Sequence, residues 1–378
     1  MLAQTPPMGW NSWNTFGSNI NEQLIFEIAD AMVDKGYRDA GYEYLVIDDC
    51  WSCRERDRSG KLVADPEKFP HGMKYVADYV HSKGLKFGMY SAAGIMTCAG
   101  YPGSYGHEYQ DAHTFAEWGV DYLKYDLCHY PGSGDVRNSY LTMSMALRST
   151  GREILFAGCT CGTYDPWDWM RSIGAHMYRS HADITDEYEA FRYIAQTQLP
   201  NFKYSGPGCF NDMDMLVVGM GGEGNVSHTG GCTDEEYLMH FSLWCLWGTP
   251  LMMRADIRNV NEYCRSVMLN RELIALNQDP DARAPFYEEK QRYASKARMG
   301  LLKFLANGEI VIAYYNFDIN PLQVLLYFDD YGIPGGSNYG LELTDILTGE
   351  NIGVKFDCYN PTLPGRSFKI YKAKFVER

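Results

Sequence analysis

Two charged residues interrupt the otherwise apolar stretch "VDYLKYDLCHY", residues 120–130. On a strand, Lys124 and Asp126 point to one face, while Leu123 and Tyr125 point to the other, because side chains alternate along a strand. A cation beside a carboxylate keeps it ionised by lowering the carboxyl pKa. Such a carboxylate can act as a nucleophile or hold a polar substrate, although a structural ion pair is the simpler explanation for these two residues taken alone.

Other strand-like runs also end in polar or aromatic side chains. These are Trp13, Asp48, Asp49, Tyr90, Thr160, Tyr164, Arg179, Asp183, Asp212 and Asp214. No histidine cluster with metal-ligand spacing accompanies them, so we expect carboxylate chemistry on a neutral polyol such as a sugar. A retaining glycosidase uses one carboxylate as nucleophile and a second as acid/base.

Each residue of this set also has a simpler explanation. Asp48 and Asp49 could lie in a solvated loop or form half of a divalent-cation site, and Arg179 and Asp183 could be a helical i,i+4 pair. Their joint occurrence at matching strand ends favours a common site.

The elements that must position these residues alternate along the first part of the chain. Eight strand-like runs lie at 8–13, 44–49, 85–90, 121–126, 153–158, 175–180, 204–209 and 250–255, with helical patterns such as 22–37 and 72–84 between the first ones. This alternation predicts a (β/α)8 TIM barrel, whose chemistry lies at the C-terminal ends of the strands.

Beyond the barrel the pattern changes to short β-rich runs separated by Asn-Gly, Gly-Gly and Thr-Gly turn signals. We therefore predict two domains, a catalytic barrel at 1–285 and a C-terminal antiparallel β-sandwich at 286–378.

Composition excludes several classes of function. The net charge of -14 argues against nucleic-acid binding, and no run of about 18 apolar residues predicts a membrane span. "CWSC", residues 50–53, has no second CxxC at zinc spacing, so no metal is expected. The start "MLAQTPPMGW" lacks the features of a signal peptide, which favours a cytoplasmic location; secretion with the leader already removed is the alternative.

Many ordered motifs between residues 6 and 280 resemble glycoside hydrolase family 27, the family of α-galactosidases and α-N-acetylgalactosaminidases. They include "PPMGWNSWNTFG", "GYEYLVIDDCW", "TCAGYPGS", "FAEWGVDYLKYDLC", "RSHADI" and "GPGCFNDMDML". The C-terminal region resembles the β-sandwich of the family only loosely.

The resemblance implies a role for each site residue. Asp126 would be the nucleophile and Asp183 the acid/base. Asp48 and Asp49 would hold the 4- and 6-hydroxyls of galactose, and Cys98 and Cys128 would form a disulfide beside the site. The remaining substrate-binding positions are Trp13, Tyr90, Lys124, Thr160, Thr163, Tyr164, Arg179, Asp214 and Met215.

Two departures from the family pattern stand out. The loop "CTCGTY", residues 159–164, has Thr160 and Thr163 where α-galactosidases have Glu and Leu and N-acetylgalactosaminidases have Ser and Ala. Cys50 and Cys159 lack their family partners, Ala175 lying near the place of one of them, which weakens the case for an oxidising compartment.

The resemblance therefore implies a retaining exo-enzyme that removes terminal α-linked galactose through a covalent glycosyl-aspartate. An α-N-acetylgalactosaminidase or dual-specificity enzyme is the main alternative, followed by a β-L-arabinopyranosidase. A non-catalytic galactose-binding barrel is disfavoured because both carboxylates are present. No cofactor or metal is expected, the partner is a substrate with a terminal α-galactosyl group, and a homo-oligomer is left open.

Overall fold

Eight short parallel strands curl into a barrel in the first part of the chain. The computed structural model describes residues 2–132, 134–225, 230–286 and 296–378. The strands are β1 (Met8–Asn11), β2 (Tyr44–Val46), β3 (Lys86–Ala92), β4 (Tyr122–Asp126), β5 (Leu155–Cys159), β6 (Met177–Arg179), β7 (Phe210–Asp212) and β8 (Leu251–Met253). They pair in the order β7-β6-β5-β4-β3-β2-β1-β8, and a parallel bridge between Leu216 and Met253 joins the two ends. The predicted TIM barrel is confirmed.

Helices connect most of these strands and cover the outside of the barrel. They are α1 (Trp13–Phe16), α2 (Glu22–Asp34), α3 (Gly72–Ser82), α4 (Glu108–Trp118), α5 (Val136–Ser149), α6 (Pro166–Trp169), α7 (Tyr188–Thr197), α8 (Asp234–Trp247), α9 (Glu262–Met268) and α10 (Arg271–Asn277). Local sequence fixes several starts. The Thr233 side chain accepts from the backbone of Glu236 while Glu236 accepts from the backbone of Thr233, a capping box that begins α8. Within the described residues, none of the helices combines the length and apolar character needed to cross a membrane.

The seventh strand lies later than predicted. The stretch 204–209 contains a tight turn instead, in which the backbones of Gly206 and Cys209 exchange hydrogen bonds of 3.1 and 3.0 Å. Pro207 lacks an N–H and Gly208 has a φ of 86°, so neither suits a barrel strand. The strand begins only at Phe210.

Successive side chains of β4 point alternately to the helices and into the barrel, as predicted. Leu123 and Tyr125 belong to the apolar layer between strands and helices, where the Tyr125 ring meets Tyr140 of α5 at 5.3 Å between centroids. The opposite face points into the barrel, whose apolar filling includes Tyr122. Lys124 and Asp126 continue that inner face toward the C-terminal rim, because they are two and four residues beyond Tyr122.

The C-terminal part is antiparallel. Its strands are β9 (Arg298–Phe304), β10 (Ile310–Asn316), β11 (Leu322–Gln323), β12 (Tyr339–Asp345), β13 (Asn351–Lys355), β14 (Thr362–Leu363) and β15 (Ser367–Glu377). Five form a sheet in the order β13-β12-β15-β10-β9, and β11 pairs with β14. The only helical turn among residues 296–378 is a 3-10 turn at Phe328–Tyr331. The proposed boundary at 285/286 stays a prediction, because residues 287–295 lie outside the described part of the chain.

A buried lysine anchors this sheet to the barrel helices. Lys303 of β9 is fully buried and donates to the backbone oxygens of Leu246 and Leu276, at 3.1 and 2.8 Å. Burial lowers the pKa of Lys303 to about 8, although Asp279 opposes the shift. An ion pair of 2.7 Å between Arg366 and Glu236 adds a second polar contact.

Candidate active site

Asp126 lies at the end of β4, almost buried, at the inner rim of the barrel. Its Oδ1 accepts from the backbone N of Leu127 at 2.9 Å, and its Oδ2 accepts from the Tyr90 hydroxyl at 3.3 Å. Burial, reinforced by the charge of Asp126, raises the pKa of Tyr90 well above its ordinary value. Tyr90 therefore stays protonated and serves as a donor to this carboxylate.

Lys124 pairs with Asp48, not with the aspartate on its own strand. Its Nζ lies 2.8 Å from Asp48 Oδ2 and 5.1 Å from the centroid of the Tyr90 ring. Burial alone would lower the pKa of Lys124, but the carboxylates of Asp48 and Asp126 outweigh it and raise that pKa above its usual range. Lys124 therefore keeps its positive charge next to the carboxylates of Asp48 and Asp126.

The two aspartates after β2 are buried and fully engaged, which excludes a solvated loop. Asp48 Oδ2 also accepts from Asn11 at 2.7 Å, and Asp49 accepts from the backbone N of Ala99 and of Cys50, at 2.9 and 2.7 Å. Burial raises the pKa of Asp49 above its ordinary value, although the two backbone donors oppose the shift. Asp49 therefore joins the loop after β2 to the loop that carries Cys98.

A second charged cluster spans β6, β7 and β8. Arg179, at the end of β6, lies 2.6 Å from Asp183 and 2.8 Å from Asp214, and Arg254 forms a further close ion pair with Asp214. Asp183 lies in the loop after β6, so the four-residue spacing is not that of a helical pair. The arginines, including Arg254 directly after β8, are buried and hold their charges beside Asp214.

Asp214 organises the loop that presents Asp183. Its φ of 86° is in the left-handed region, which a non-glycine residue adopts only when its surroundings require it. The carboxylate accepts from the backbone N of Ile184 and of Met215, both at 2.7 Å, in addition to its two arginines. Because Ile184 directly follows Asp183, this contact restrains the backbone that carries Asp183.

Asp183 is ionised in this arrangement. Partial desolvation at the barrel rim would raise its pKa, but the charge and hydrogen bond of Arg179 outweigh that effect and lower the pKa of Asp183 to about 2. Its side chain is 67% exposed, unlike that of Asp214. Asp183 is therefore deprotonated, and can act as a base, as long as Arg179 stays in contact with it.

The resemblance to family 27 places a proline at position 213, where this chain has Met213, so this position is a further departure from the family pattern. Its backbone N donates to the Thr249 hydroxyl at 3.0 Å, and that hydroxyl donates to the Asn211 backbone oxygen at 2.8 Å. A proline has no N–H and could not make the first contact. The backbone N–H of Met213 therefore links the segment after β7 to the loop before β8, which the proline of the family could not do.

The disulfide between Cys98 and Cys128 is present, as the resemblance implied. Both sulfurs lie close to the Tyr90 hydroxyl, at 3.5 Å for Cys98 and 3.8 Å for Cys128. The bridge thus braces the two loops on either side of the Tyr90–Asp126 contact. Direct contact of these cysteines with substrate stays a prediction.

The loop after β5 is closed on itself. The hydroxyl of Thr160 donates to the backbone oxygen of Thr163 at 2.7 Å, and that of Thr163 to the backbone oxygen of Thr160 at 2.6 Å. Thr160 is buried, whereas Thr163 and Tyr164 are exposed. Both hydroxyls therefore donate within the loop, and contact of Thr160 and Thr163 with substrate stays a prediction.

Trp13 is half-buried at the start of α1, where its backbone N donates to Asn11 Oδ1 at 2.9 Å. The recorded polar contacts of Trp13 and Tyr164 are to their own or neighbouring loop, so these contacts do not join them to the carboxylates. Their predicted contact with the sugar is open to test.

Two residues that the sequence reasoning did not single out complete the charge network. Asn11 ends β1 and Arg254 follows β8, and both are buried against predicted site aspartates. Both satisfy the strand-end criterion that identified the others, and applying it to the first and eighth strands in full would have found them. Asp212, which ends β7, is also enclosed, and burial raises its pKa to about 6.

Comparisons with known proteins point in one direction. A family model described as "Alpha galactosidase A" matches residues 5–279. An alpha-galactosidase A from Cellvibrio japonicus is 47% identical over 289 residues, which cover 74% of this chain and 68% of that protein. An alpha-galactosidase from Cyamopsis tetragonoloba is 49% identical over 279 residues, covering 74% of this chain and 65% of that protein.

A solved structure is similar over the whole length. The crystal structure of alpha-galactosidase I from Mortierella vinacea has a TM-score of 0.91 and 32% identity, and the match covers 100% of this chain and 98% of that one. In contrast, the chain spans about two thirds of the length of the two relatives above.

Proposed function

The chain belongs to the alpha galactosidase A family of glycoside hydrolases, and from that membership we propose that it removes terminal α-linked galactose from oligosaccharides or glycoconjugates with retention of configuration. The predicted family is thereby confirmed. The observation that carries the proposal is the position of Asp126 at the barrel rim, hydrogen-bonded to Tyr90 beside the charged Lys124, with Asp183 presented by a separate buried network.

In the first step Asp126 attacks the anomeric carbon, and Asp183 protonates the leaving oxygen. The Tyr90 hydroxyl orients one oxygen of Asp126 and leaves the carboxylate its charge. Lys124 stabilises that charge from below, because its own charge is held by two carboxylates. A covalent glycosyl-aspartate results.

Asp183 must gain a proton before it can protonate the leaving oxygen. Since Arg179 keeps Asp183 ionised in the empty site, the proton must be taken up when the bound sugar separates the two side chains and excludes water. In the second step water attacks the anomeric carbon, the bond to Asp126 breaks, and the ionised Asp183 takes the proton of that water. The ionised state of Asp183 is the one that Arg179 already favours.

Asp48 and Asp49 suit recognition of the galactose hydroxyls. Both are buried, and Asp48 is fixed by Asn11 and Lys124. Preorganised acceptors of this kind bind hydroxyl donors without a further loss of side-chain entropy. Their presence favours galactose over arabinopyranose, which lacks the 6-hydroxyl that the resemblance assigns to this pair.

N-acetylgalactosaminidase activity is the second candidate, because Thr160 and Thr163 are smaller than the galactosidase Glu and Leu. Their hydroxyls are internally bonded, so they present mainly methyl groups and leave room near the 2-position. We rank this activity second because the rest of the site is shared by both substrates.

A panel of the nitrophenyl glycosides of α-galactose, α-N-acetylgalactosamine and β-L-arabinopyranose tests the substrate. We expect the largest kcat/KM for the galactoside. A larger value for the acetamido sugar would overturn the galactose assignment, and binding of galactose with no hydrolysis of any of the three would indicate a binding protein. A cytoplasmic location and a homo-oligomer remain predictions.

A further inference from the structure

Two unpaired cysteines line the site beside the proposed nucleophile. Cys159 ends β5 and is buried, and Cys161 is half-buried two residues later with a φ of 50° in the left-handed region. Their sulfurs lie 3.7 Å apart. Neither residue forms a disulfide, and neither has a role in the proposed hydrolysis.

Asp126 supplies a third donor atom to this pair. An oxygen of Asp126 and the sulfurs of Cys159 and Cys161 all lie within 4.8 Å of one another. An oxygen of Asp126 also lies within 4.8 Å of the sulfurs of Cys98 and Cys128, but those two sulfurs are joined in the disulfide. The thiols of Cys159 and Cys161 are therefore the free sulfur ligands beside this carboxylate within the described residues.

The spacing of the two sulfurs matches a shared metal ion. Two thiolates bound to a tetrahedral cation at about 2.3 Å are separated by about 3.8 Å, close to the distance found here. A disulfide requires about 2.05 Å, so its formation would need the loop to move. The loop resists such movement, because Thr160 and Thr163 are reciprocally bonded and the Tyr140 hydroxyl holds the backbone oxygen of Cys159 at 2.7 Å.

We propose that Cys159, Cys161 and Asp126 form a binding site for a thiophilic divalent cation, Zn²⁺ or Cd²⁺, which blocks the nucleophile when bound. Each thiol releases its proton to solvent as it becomes a ligand, and no electron is transferred. A water molecule supplies the fourth ligand. Mg²⁺ and Ca²⁺ prefer oxygen ligands and do not suit this donor set.

Equilibrium dialysis of the purified chain against Zn²⁺ or Cd²⁺ tests the binding without reference to catalysis. After the free thiols have been verified by titration, we expect galactose to displace one bound ion per chain, because both ligands need Asp126. Cys161→Ser should weaken that binding by at least about tenfold, and Cys159→Ser provides a second variant. Cys358→Ser, between β13 and β14 in the C-terminal region, is the matched control and should bind as the parent does.

Inhibition kinetics form the second part of the test, which rests on the proposed function, as the displacement by galactose also does, whereas metal binding and its loss in Cys161→Ser do not. Zn²⁺ and Cd²⁺ should inhibit competitively against the nitrophenyl galactoside, and Mg²⁺ should not. The proposal is overturned if Cys161→Ser, shown by thermal unfolding to be folded, keeps the affinity of the parent, or if galactose that is shown to bind the metal-free chain leaves the bound ion in place. An inactive chain that still binds the ion in competition with galactose would refute the hydrolase and not the metal site.

Discussion

The ammonium group of Lys124 lies 2.8 Å from the carboxylate of Asp48, which follows a strand two places away in the barrel. Asp126, two residues after Lys124 on β4, instead accepts a hydrogen bond from the hydroxyl of Tyr90 on β3. The lysine therefore ties a proposed sugar-binding carboxylate to the strand that carries the proposed nucleophile. Lys124 acts on the charge of Asp126 only at a distance, while the two oxygens of Asp126 accept from the Leu127 backbone N and the Tyr90 hydroxyl.

Removing one partner of this buried pair should be more harmful than neutralising both. Lys124→Met leaves the Asp48 charge buried beside Asn11, and we expect a loss of about 3–5 kcal/mol in the free energy of unfolding. In the double variant with Asp48→Asn, the two effects should fall short of additivity by at least about 1 kcal/mol. Urea denaturation measures both quantities, and strictly additive effects would show that the contact is not coupled.

Replacing the proposed nucleophile should abolish turnover while leaving the fold intact. Asp126→Asn keeps the size of the side chain but removes its charge, and we expect kcat to fall by at least about 10³-fold with little change in thermal unfolding. NMR of the parent reaction should detect the α-anomer of galactose first. Release of the β-anomer first would eliminate the double-displacement mechanism.

The role of Asp183 should depend on the leaving group. Asp183→Asn should lower kcat/KM for the oligosaccharide raffinose by about 10²–10⁴-fold, because its leaving oxygen needs a proton. For a dinitrophenyl galactoside, whose leaving group departs unprotonated, kcat/KM should change much less. Asp165→Asn, in the exposed part of the loop after β5, is the matched control. Equal losses for the two substrates would assign Asp183 a binding role instead.

Lys303 should make stability depend on pH in the alkaline range. Its folded pKa is about 8, whereas the pKa of an unfolded lysine is about 10.4. Between these values the unfolded chain binds more protons, so this residue makes the free energy of unfolding rise with pH, by about 3 kcal/mol in all.

The measurement is the difference in urea stability between the parent and Lys303→Met from about pH 8 to 10.4. The free energy of unfolding of the parent should rise relative to that of Lys303→Met across this pH range, because the other titratable groups are the same in both chains. Lys374→Met, which removes an exposed lysine from the same sheet, should run parallel to the parent. A constant difference between parent and Lys303→Met would show that Lys303 is charged in the folded chain.

Local sequence patterns were sufficient to predict the barrel, the antiparallel C-terminal sheet and the inward face of β4. These follow from local periodicity, which fixes an element and the side to which its residues point. The strand-end criterion placed Asp48, Asp126 and Arg179 at the same rim for that reason. It located the seventh strand too early, because the apolar and turn residues around Pro207 do not mark where pairing begins.

Which charged side chains pair with each other could not be predicted from the sequence and required the folded structure. Lys124 and Asp48 are 76 positions apart, and Arg254 reaches Asp214 across 40. Such pairings depend on distances between strands and on side-chain rotamers, which no local pattern specifies. The same holds for the charge state of Asp183 and for the spacing of the Cys159 and Cys161 sulfurs, because both follow from groups that folding brings within a few ångströms.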